Sequence, residues 1–548
     1  SRCGCSHDLS DPVNDRAMFH ADNAYYYPAV RIRSDRCQTN TVSNTAFRGF
    51  GGPQGMLIAE QIIQAIAHER RLDPLDVRRL NFYEHKDRNL TPYHMQVEDF
   101  ILDELVDQLE STSHYRERRQ SIKAFNSSNL YLRRGLALTP VKFGISFTVQ
   151  HLNQAGALVH IYTDGTIQIN HGGTEMGQGL YIKIAQIVAN EFEVDLDTVK
   201  VTATRTDKVP NTSPTAASSG TDINGKAAQN ACLTIKGRLV EFAAEHFAVP
   251  SDSIKFENNH VQIGDKETLT FAELVLLAYQ HRISLSATGY YKTPKIFYDR
   301  SKAWGRPFFY FALGASCAEV EIDTMTGEYK VLRCDILHDV GQSINPAIDI
   351  GQIEGGFVQG MGWLTTEELT WDDKGTLASN SPANYKIPTS HDLPKQWSVK
   401  LFDRKNEEQT IYNSKAVGEP PFMLAASVWC AINNAVASLA DYKVNPDLTM
   451  PATSEAVLKA VMRLQGEEWE IPVRKNPTDD INTDSHPEVK EQFSADGKVK
   501  MDNKDKAQPV PHAEDTSPPK SAGEHDDEQP EAIKDPNVSV ARGPAHSE

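Results

Sequence analysis

Apolar residues recur along this chain with two different periods, which predict helices in some segments and strands in others. Residues 55–69 carry apolar side chains at every third or fourth position, the spacing of one face of a helix. The residues expected on that face are Leu57, Ile58, Ile62, Ile63 and Ile66. Further helices are predicted over 72–84, 179–193, 224–248 and 271–281. The first two helices form a compact helical unit that precedes the strand-rich part of the chain.

From residue 135 the apolar period shortens to two, which is typical of strands. Apolar runs at 157–162 and 166–170 flank Asp164 and Gly165, a pair that favours a tight hairpin turn. Two further strands are predicted over 315–322 and 329–340. Because strands and helices are interspersed along the chain, the predicted fold class is mixed α and β.

The most apolar segment of the chain, residues 423–440, is predicted to be a buried core helix. Asn433 and Asn434 interrupt it, so that it falls short of the ~20 clean apolar residues that a membrane span needs. The opening residues also lack the cationic start and apolar run of a secretory signal. We therefore expect a cytoplasmic protein without a membrane partner. The final residues do not match the Ser-Lys-Leu peroxisomal address, although a peroxisomal location stays open as an alternative.

Composition changes sharply near residue 466. Residues 466–548 contain 20 acidic and 10 basic residues, 10 of the 29 prolines and only two aromatic residues. Such a segment cannot bury enough apolar surface to offset the entropy lost on ordering, so a disordered acidic tail is predicted. The preceding body has a net charge near −8 and shows no basic face. Nucleic acid is therefore not an expected partner.

The seven cysteines are an odd number scattered through a large chain, which indicates reduced thiols instead of a disulfide framework. Cys3 and Cys5 are the only close pair. A metal site built from cysteines needs a second pair at ligand spacing, and none follows, so we interpret these two as an unpaired doublet.

Two glycine-rich loops precede predicted helices, where backbone amides and the helix dipole can hold an anion or approach a ligand closely. The first, NTAFRGFGGPQ at 44–54, lacks the glycine spacing of a dinucleotide-binding loop. It is either a tight turn with packed aromatic rings or a site that uses Arg48, which lies between Phe47 and Phe50 in sequence. The second, HGGTEMGQG at 171–179, follows the predicted hairpin and opens the next helix.

Two further loops contain hydroxyl groups or a single carboxylate. NTSPTAASSG at 211–220 supplies small side chains before a helix, and a capping segment explains it as well as a binding site does. KAVGEPP at 415–421 places Glu419 before two prolines. This glutamate is either a charge favoured by the helix dipole or, on a backbone that the prolines keep extended and rigid, a positioned base.

In this order the four loops resemble those of the xanthine dehydrogenase and aldehyde oxidase family of molybdenum hydroxylases, closest to xanthine dehydrogenase. The resemblance covers about residues 8–440 and includes HLNQAGALVHIYTDG and NPAIDIGQIEGGFVQG. It implies elongated molybdopterin-binding domains. The implied divisions are the remainder of a first molybdopterin-binding domain over 1–85, a connecting segment over 86–130 and a second molybdopterin-binding domain over 131–465.

The resemblance also implies what each site residue does. Glu419 matches the catalytic base that takes a proton from a molybdenum-bound hydroxide during the hydroxylation of hypoxanthine and xanthine to urate. Phe50 and Phe147 match the rings that flank a flat substrate, and Thr148 would add a hydroxyl contact. Arg16 matches the arginine that binds a purine and stabilises the negative charge that develops on it. A nicotinate or aldehyde hydroxylase is the close alternative, which the presence of Arg16 disfavours for aldehydes.

Eight residues match the family's cofactor contacts, and two of them, Arg48 and Ala217, would neighbour the molybdenum. The eight are Arg48, Met176, Gly177, Gln178, Ala216, Ala217, Gln359 and Gly418. The cofactor implied is molybdopterin with molybdenum, in which the dithiolene of the pterin coordinates the metal. The 2Fe-2S clusters, FAD and NAD would act only through a missing N-terminal portion, and a homodimer is expected for the full-length protein.

A catalytically incomplete remnant, without the iron–sulfur and FAD domains, is the second alternative. The enzyme hypothesis predicts that Glu419, Phe50, Phe147 and Arg16 converge on one cavity. A remnant could instead have a collapsed site or one that is open to solvent.

Overall fold

Helices and strands are interspersed along the chain, as the two apolar periods predict. A computed structural model describes residues 4–37, 39, 41–84, 86–209, 212–467 and 469, all within the contact unit Ser1–Glu470. The predicted acidic tail lies outside the described residues except at 466, 467 and 469. The helices are α1 (Ser10–Phe19), α2 (Gly52–Arg70), α3 (Pro74–Leu80), α4 (Leu102–Thr112), α5 (Tyr115–Ser128), α6 (Leu180–Phe192), α7 (Gly220–Phe247), α8 (Phe271–Gln280), α9 (Pro346–Thr365), α10 (Ala426–Ala437) and α11 (Ser454–Gln465).

The strands of the described residues form two four-stranded sheets and two smaller ones. They are β1 (Leu132–Ile145), β2 (Gln154–Ile161), β3 (Ile167–His171), β4 (Val199–Val201), β5 (Ile254–Glu257), β6 (His260–Ile263), β7 (Glu267–Thr270), β8 (Ser286–Lys292), β9 (Phe297–Asp299), β10 (Trp304–Arg306), β11 (Tyr310–Asp323), β12 (Tyr329–His338) and β13 (Gln396–Leu401). The strand orders are β1-β11-β12-β13, β4-β3-β2-β8, β5-β6-β7 and β9-β10.

The longest ladder joins β1 and β11, which are antiparallel along their whole length of 14 residues each. It runs from Leu132 opposite Asp323 to Ile145 opposite Tyr310. Almost all of β1 is buried, because helices cover one face of this sheet and α10 packs on the other. The end of this ladder at Ile145 and Tyr310 reaches the candidate site.

The predicted hairpin around Asp164 and Gly165 is confirmed as β2 and β3, which are antiparallel neighbours. The predicted core helix is also confirmed, with a six-residue 3₁₀ segment, Pro420–Ala425, before α10 and a three-residue one, Ser438–Ala440, after it. In the described residues, Pro420–Ala440 is the one helical stretch long and apolar enough to pass as a membrane span, and 89% of its most apolar window is buried within the protein.

The predicted apolar face of α2 is wrong in part. Leu57 and Ile63 are buried, whereas Ile58, Ile62 and Ile66 are 54%, 45% and 43% exposed. The three exposed isoleucines are spaced by four residues, so they form a row of their own on the outer side of the helix. Apolar spacing alone did not distinguish that row from the buried one.

Candidate active site

The four loops singled out from the sequence meet at one cavity of about 510 Å³, to which α9 also contributes. Nine of the predicted site residues line it: Arg48, Phe50, Met176, Gln178, Ala216, Ala217, Gln359, Gly418 and Glu419. The other four, Arg16, Phe147, Thr148 and Gly177, are not part of its wall. Arg16 and Phe147 nevertheless contact wall residues, as described below.

Two glycines bring α1 against the start of α2 and so place Arg16 near Phe50. A Cβ on Gly51 would lie 2.1 Å from the carbonyl oxygen of Val13, and one on Gly55 would lie 2.1 Å from that of Ala17. Gly51 also has a φ of 94°, which side chains disfavour. At least part of the glycine pattern in this loop therefore serves close helix packing.

Glu419 is held by hydrogen bonds from two different loops. Its Oε2 accepts from the Ser218 hydroxyl at 2.9 Å, and its Oε1 accepts from the Gly49 backbone N–H at 3.3 Å. The Ser218 oxygen also accepts from the Glu419 backbone N–H at 2.8 Å. Ser218 is therefore a functional candidate that the motif resemblance missed, and its only sequence signal is its place beside Ala217.

The backbone of Glu419 is not extended, contrary to what the two following prolines predict. Its φ and ψ are −95° and −40°, in the helical region. The Glu419 carbonyl oxygen accepts from the Phe422 N–H at 3.1 Å, which closes the first helical turn. That bond and the Ser218 contact outweigh the usual preference of a residue that precedes proline.

Arg16 lies beside Glu419 and is 1% exposed. Its Nη2 is 3.9 Å from Oε2 of Glu419. Its Nη1 donates to the carbonyl oxygen of Ser146 at 2.8 Å, and Nη2 donates to that of Gly144 at 2.6 Å. Burial lowers the pKa of Arg16, and the neighbouring Glu419 opposes that shift. Arg16 therefore provides a buried positive charge next to the one carboxylate of this loop.

The two predicted substrate-flanking rings are neighbours. The ring centroids of Phe50 and Phe147 lie 5.6 Å apart, and their planes are tilted by 52°. The backbone of Phe147 is fixed by Asn153, whose side-chain oxygen accepts from the Phe147 N–H at 2.7 Å while its amide group donates to the Phe147 carbonyl at 2.8 Å. Asn153 is buried and belongs to the HLNQAG motif. Its contacts with the Phe147 backbone give this residue of the motif a structural role.

Arg48 connects the first loop to the Glu419 loop and to α9. Its Nε donates to the Gly418 carbonyl at 2.7 Å, and its Nη1 donates to Oε1 of Gln359 at 3.1 Å. Weaker contacts reach Gln352 at 3.4 Å. The guanidinium is thus engaged by neutral acceptors, and burial lowers its pKa while Glu419 opposes the shift.

The second glycine loop offers fewer free amides than its sequence suggests. Glu175 accepts from the backbone N–H groups of Gly177, Gly179 and Tyr181 at 2.9, 3.0 and 3.0 Å. Burial raises the pKa of Glu175, but these backbone donors outweigh it and leave the pKa below its usual value. At Gly177 a Cβ would meet nothing within 4 Å, so the loop presents open space there.

Comparison with known proteins identifies the family of the chain. A family model described as a molybdopterin cofactor-binding domain matches residues 108–394, and a second of the same description matches residues 1–82. The chain belongs to the xanthine dehydrogenase family of molybdenum hydroxylases. This confirms the resemblance seen in its loop motifs.

Individual members of the family match over most of the chain. Xanthine dehydrogenase of Oryza sativa subsp. japonica is 45% identical over 83% of this chain and 32% of its own length. Xanthine dehydrogenase/oxidase of Felis catus is 46% identical over 84% of this chain and 33% of its own length. The chain thus spans about a third of these relatives.

Among solved structures, quinoline 2-oxidoreductase from Pseudomonas putida 86 has a similar fold, with a TM-score of 0.71 at 23% identity. The match covers 83% of this chain and 57% of that one. The mixed α and β class and the molybdopterin-binding fold are therefore confirmed.

The cavity fits a flat organic cofactor better than a bare metal ion. Ala216, Ala217 and Gly418 give its wall methyl groups and backbone, and Gln178 and Gln359 add neutral hydrogen-bonding groups. Among the described residues, no group of three or more His, Cys, Asp or Glu side chains could hold a metal ion. Protein groups of this kind suit a metal whose ligands come from the cofactor itself, as in a molybdopterin.

Proposed function

We propose that this chain provides the substrate pocket and molybdenum-cofactor site of a xanthine dehydrogenase-type hydroxylase, with Glu419 as the base. The observation that carries the proposal is that Glu419 and Phe50 line the cavity, while Arg16 lies 3.9 Å from Glu419 and the Phe147 ring lies 5.6 Å from that of Phe50. Iron–sulfur and flavin groups would belong to other portions of such an enzyme.

The bound molybdenum cofactor would supply the two-electron oxidation that the protein side chains cannot perform. Glu419 would accept a proton at a carboxylate oxygen, and the ion-dipole contacts from Ser218 and Gly49 would keep that oxygen directed toward the reacting centre. General bases of this kind contribute roughly 10²- to 10⁴-fold to the rate.

A purine such as hypoxanthine or xanthine is the substrate class that we propose. Phe50 and Phe147, tilted with respect to each other, suit one ring stacked on a flat heterocycle and the other meeting its edge. Arg16 has five N–H donors, of which only two are used by Ser146 and Gly144. Its charge would stabilise electron density that moves onto the ring during attack. Both curated relatives described above are named for xanthine.

The test is hydroxylation of xanthine by the molybdenum-loaded chain with an artificial electron acceptor, alongside molybdenum content by elemental analysis. We expect wild type to form urate, and Glu419→Gln to lose at least about 100-fold in kcat at unchanged molybdenum content. Glu241→Gln, an exposed substitution on α7, should retain wild-type turnover. A fully loaded wild-type chain without turnover would contradict the proposal and favour the incomplete remnant, and an active Glu419→Gln variant would show that Glu419 is not the base.

A further inference from the structure

A second carboxylate, Asp222, lines the same cavity without any part in the proposed chemistry. It lies in the first turn of α7 and is only 6% exposed. Its Oδ2 accepts from the Tyr310 hydroxyl at 2.7 Å, and that hydroxyl in turn accepts from the Ala416 N–H at 2.8 Å. Among the described residues no hydrogen bond to its Oδ1 is seen, and this oxygen belongs to a residue of the cavity wall, where a ligand could reach it.

The charges around the cavity decide what kind of ligand could satisfy that oxygen. Lys183 is paired with Asp349, whose second oxygen accepts from Ser343 at 2.5 Å. Lys415 is paired with Asp339 at 2.6 Å. Both lysines of the wall are therefore neutralised, so this region offers no spare cation for a phosphate.

The remaining cation of the described wall, Arg48, is engaged by Gly418 and Gln359 on the side of Glu419. A ligand group at Asp222 must therefore be a hydrogen-bond donor and not an anion. The chemical groups that meet a carboxylate best are two adjacent N–H donors, which bind both of its oxygens at once.

The aminopyrimidinone edge of a pterin has this pattern, since its 2-amino group and its ring N3–H point in the same direction. We propose that Asp222 binds this edge of the cofactor, with Tyr310 fixing the carboxylate from behind. The proposal rests on the proposed cofactor site and adds the residue that recognises the pterin ring.

The location of Asp222 suits that task. Tyr310 joins it to Ala416, which precedes Glu419 by three residues and hence by at most about 11 Å of extended chain. Asp222 and Glu419 are therefore linked through one short segment of the cavity wall, residues 416–419. Burial raises the pKa of Asp222 to about 7, as expected for a carboxylate that is short of donors until a ligand supplies them.

The test uses the full chain produced in cells that cannot make the cofactor, titrated with two fluorescent rings at about pH 8. Pterin has the 2-amino group, whereas lumazine has a carbonyl oxygen at that position, which would repel a carboxylate. We expect wild type to bind pterin at least about tenfold more tightly than lumazine. Asp222→Asn should lose that preference, because its amide replaces one acceptor with a donor. Asp252→Asn, an exposed control, should keep it.

Three results would overturn the proposal: equal binding of both rings by wild type, an unchanged preference in Asp222→Asn, or no pterin binding below about millimolar concentration. If Asp222→Asn does not fold, Tyr310→Phe is tested in its place. A weaker preference for pterin in this variant than in wild type would support the proposal, and an unchanged preference would overturn it. Ring binding requires neither metal nor turnover. A failed xanthine assay would therefore count against the proposed function, while a failed ring preference would count only against Asp222.

Discussion

Glu419 and Asp222 are carboxylates on the wall of one cavity, yet their surroundings differ in nearly every respect. Glu419 receives hydrogen bonds from a hydroxyl and a backbone N–H, and it has a buried arginine 3.9 Å away. Asp222 has one tyrosine hydroxyl and no direct ion pair among the described residues. Its pKa is raised to about 7 by burial, which the Tyr310 hydrogen bond and Lys183 only partly oppose.

The difference shows how one cavity can hold carboxylates with separate roles. Donors from two loops fix the Glu419 carboxylate in position, and a base must be positioned in this way. Asp222 is held from one side only and lacks donors on the other, as a ligand-binding group needs before its ligand arrives. Substitutions of the two carboxylates' neighbours, or of Asp222 itself, should therefore affect turnover and stability differently.

The largest effect is expected from Arg16, the cation on the Glu419 side. Arg16→Gln removes a charge that would stabilise the transition state, and loss of one such group typically costs about 10²- to 10³-fold. We expect kcat/KM for xanthine to fall by that amount, with molybdenum content unchanged. Steady-state kinetics of the loaded chain would measure it.

Arg300→Gln is a matched control for that variant. Arg300 is an exposed arginine that pairs with Asp15, the residue next to Arg16 in the chain, at 3.0 Å. Its loss should leave kcat/KM within about twofold, because exposed ion pairs contribute little. Equal losses in the two variants would show that α1 is merely disturbed and that Arg16 has no special role.

The next effect concerns Asp222 and pH. The folded, cofactor-free protein keeps the Asp222 proton up to a pKa of about 7, whereas an unfolded aspartate has a pKa of about 3.9. Asp222 therefore favours folding at low pH, and this contribution is lost as pH rises through about 7. Between about pH 5 and pH 8 the loss is on the order of 3 kcal/mol. The unfolding free energy of Asp222→Asn should not show this loss.

Urea unfolding of wild type and Asp222→Asn at several pH values would measure this difference. The groups that face Asp222 are Tyr310 on β11, Lys183 on α6, Lys226 on α7 and Tyr291 on β8. All four are common to both proteins, so their own pH dependence cancels to first order. A difference between the two unfolding free energies that does not change with pH would contradict a raised pKa for Asp222.

Much of this site could be predicted from the sequence, because long motifs preserve both residue types and their spacing. The resemblance assigned Glu419, Phe50, Phe147 and Arg16, and the structure brings those four together. Their proposed roles remain predictions until activity is measured. The mixed fold class followed from alternating apolar periods, which depend only on local geometry.

The parts that could not be predicted depend on contacts between distant loops. Ser218 is 201 residues from Glu419 in sequence, and nothing local indicates their hydrogen bonds. Asp222 and Tyr310 are 88 residues apart. The helical backbone of Glu419 likewise follows from its bond to Ser218 and overrides a local proline rule. The exposed isoleucines of α2 show the same limit, since spacing gives the rows on a helix but not which row is buried.

The smallest effect should come from Ser218, which hydrogen-bonds to Glu419 and not to Asp222. Ser218→Ala removes one hydrogen bond to the carboxylate and one acceptor for the Glu419 N–H. Such bonds contribute about 1 kcal/mol each, so we expect kcat to fall about 5- to 30-fold while KM for xanthine stays nearly constant. The pterin preference over lumazine should not change, because Asp222 is untouched. Ser218→Thr, which keeps a hydroxyl, should recover part of the lost kcat. A rise in KM for xanthine, or a loss of the pterin preference, would contradict this expectation. Either result would mean that Ser218 shapes the whole cavity and that the two carboxylates of the cavity are not independent.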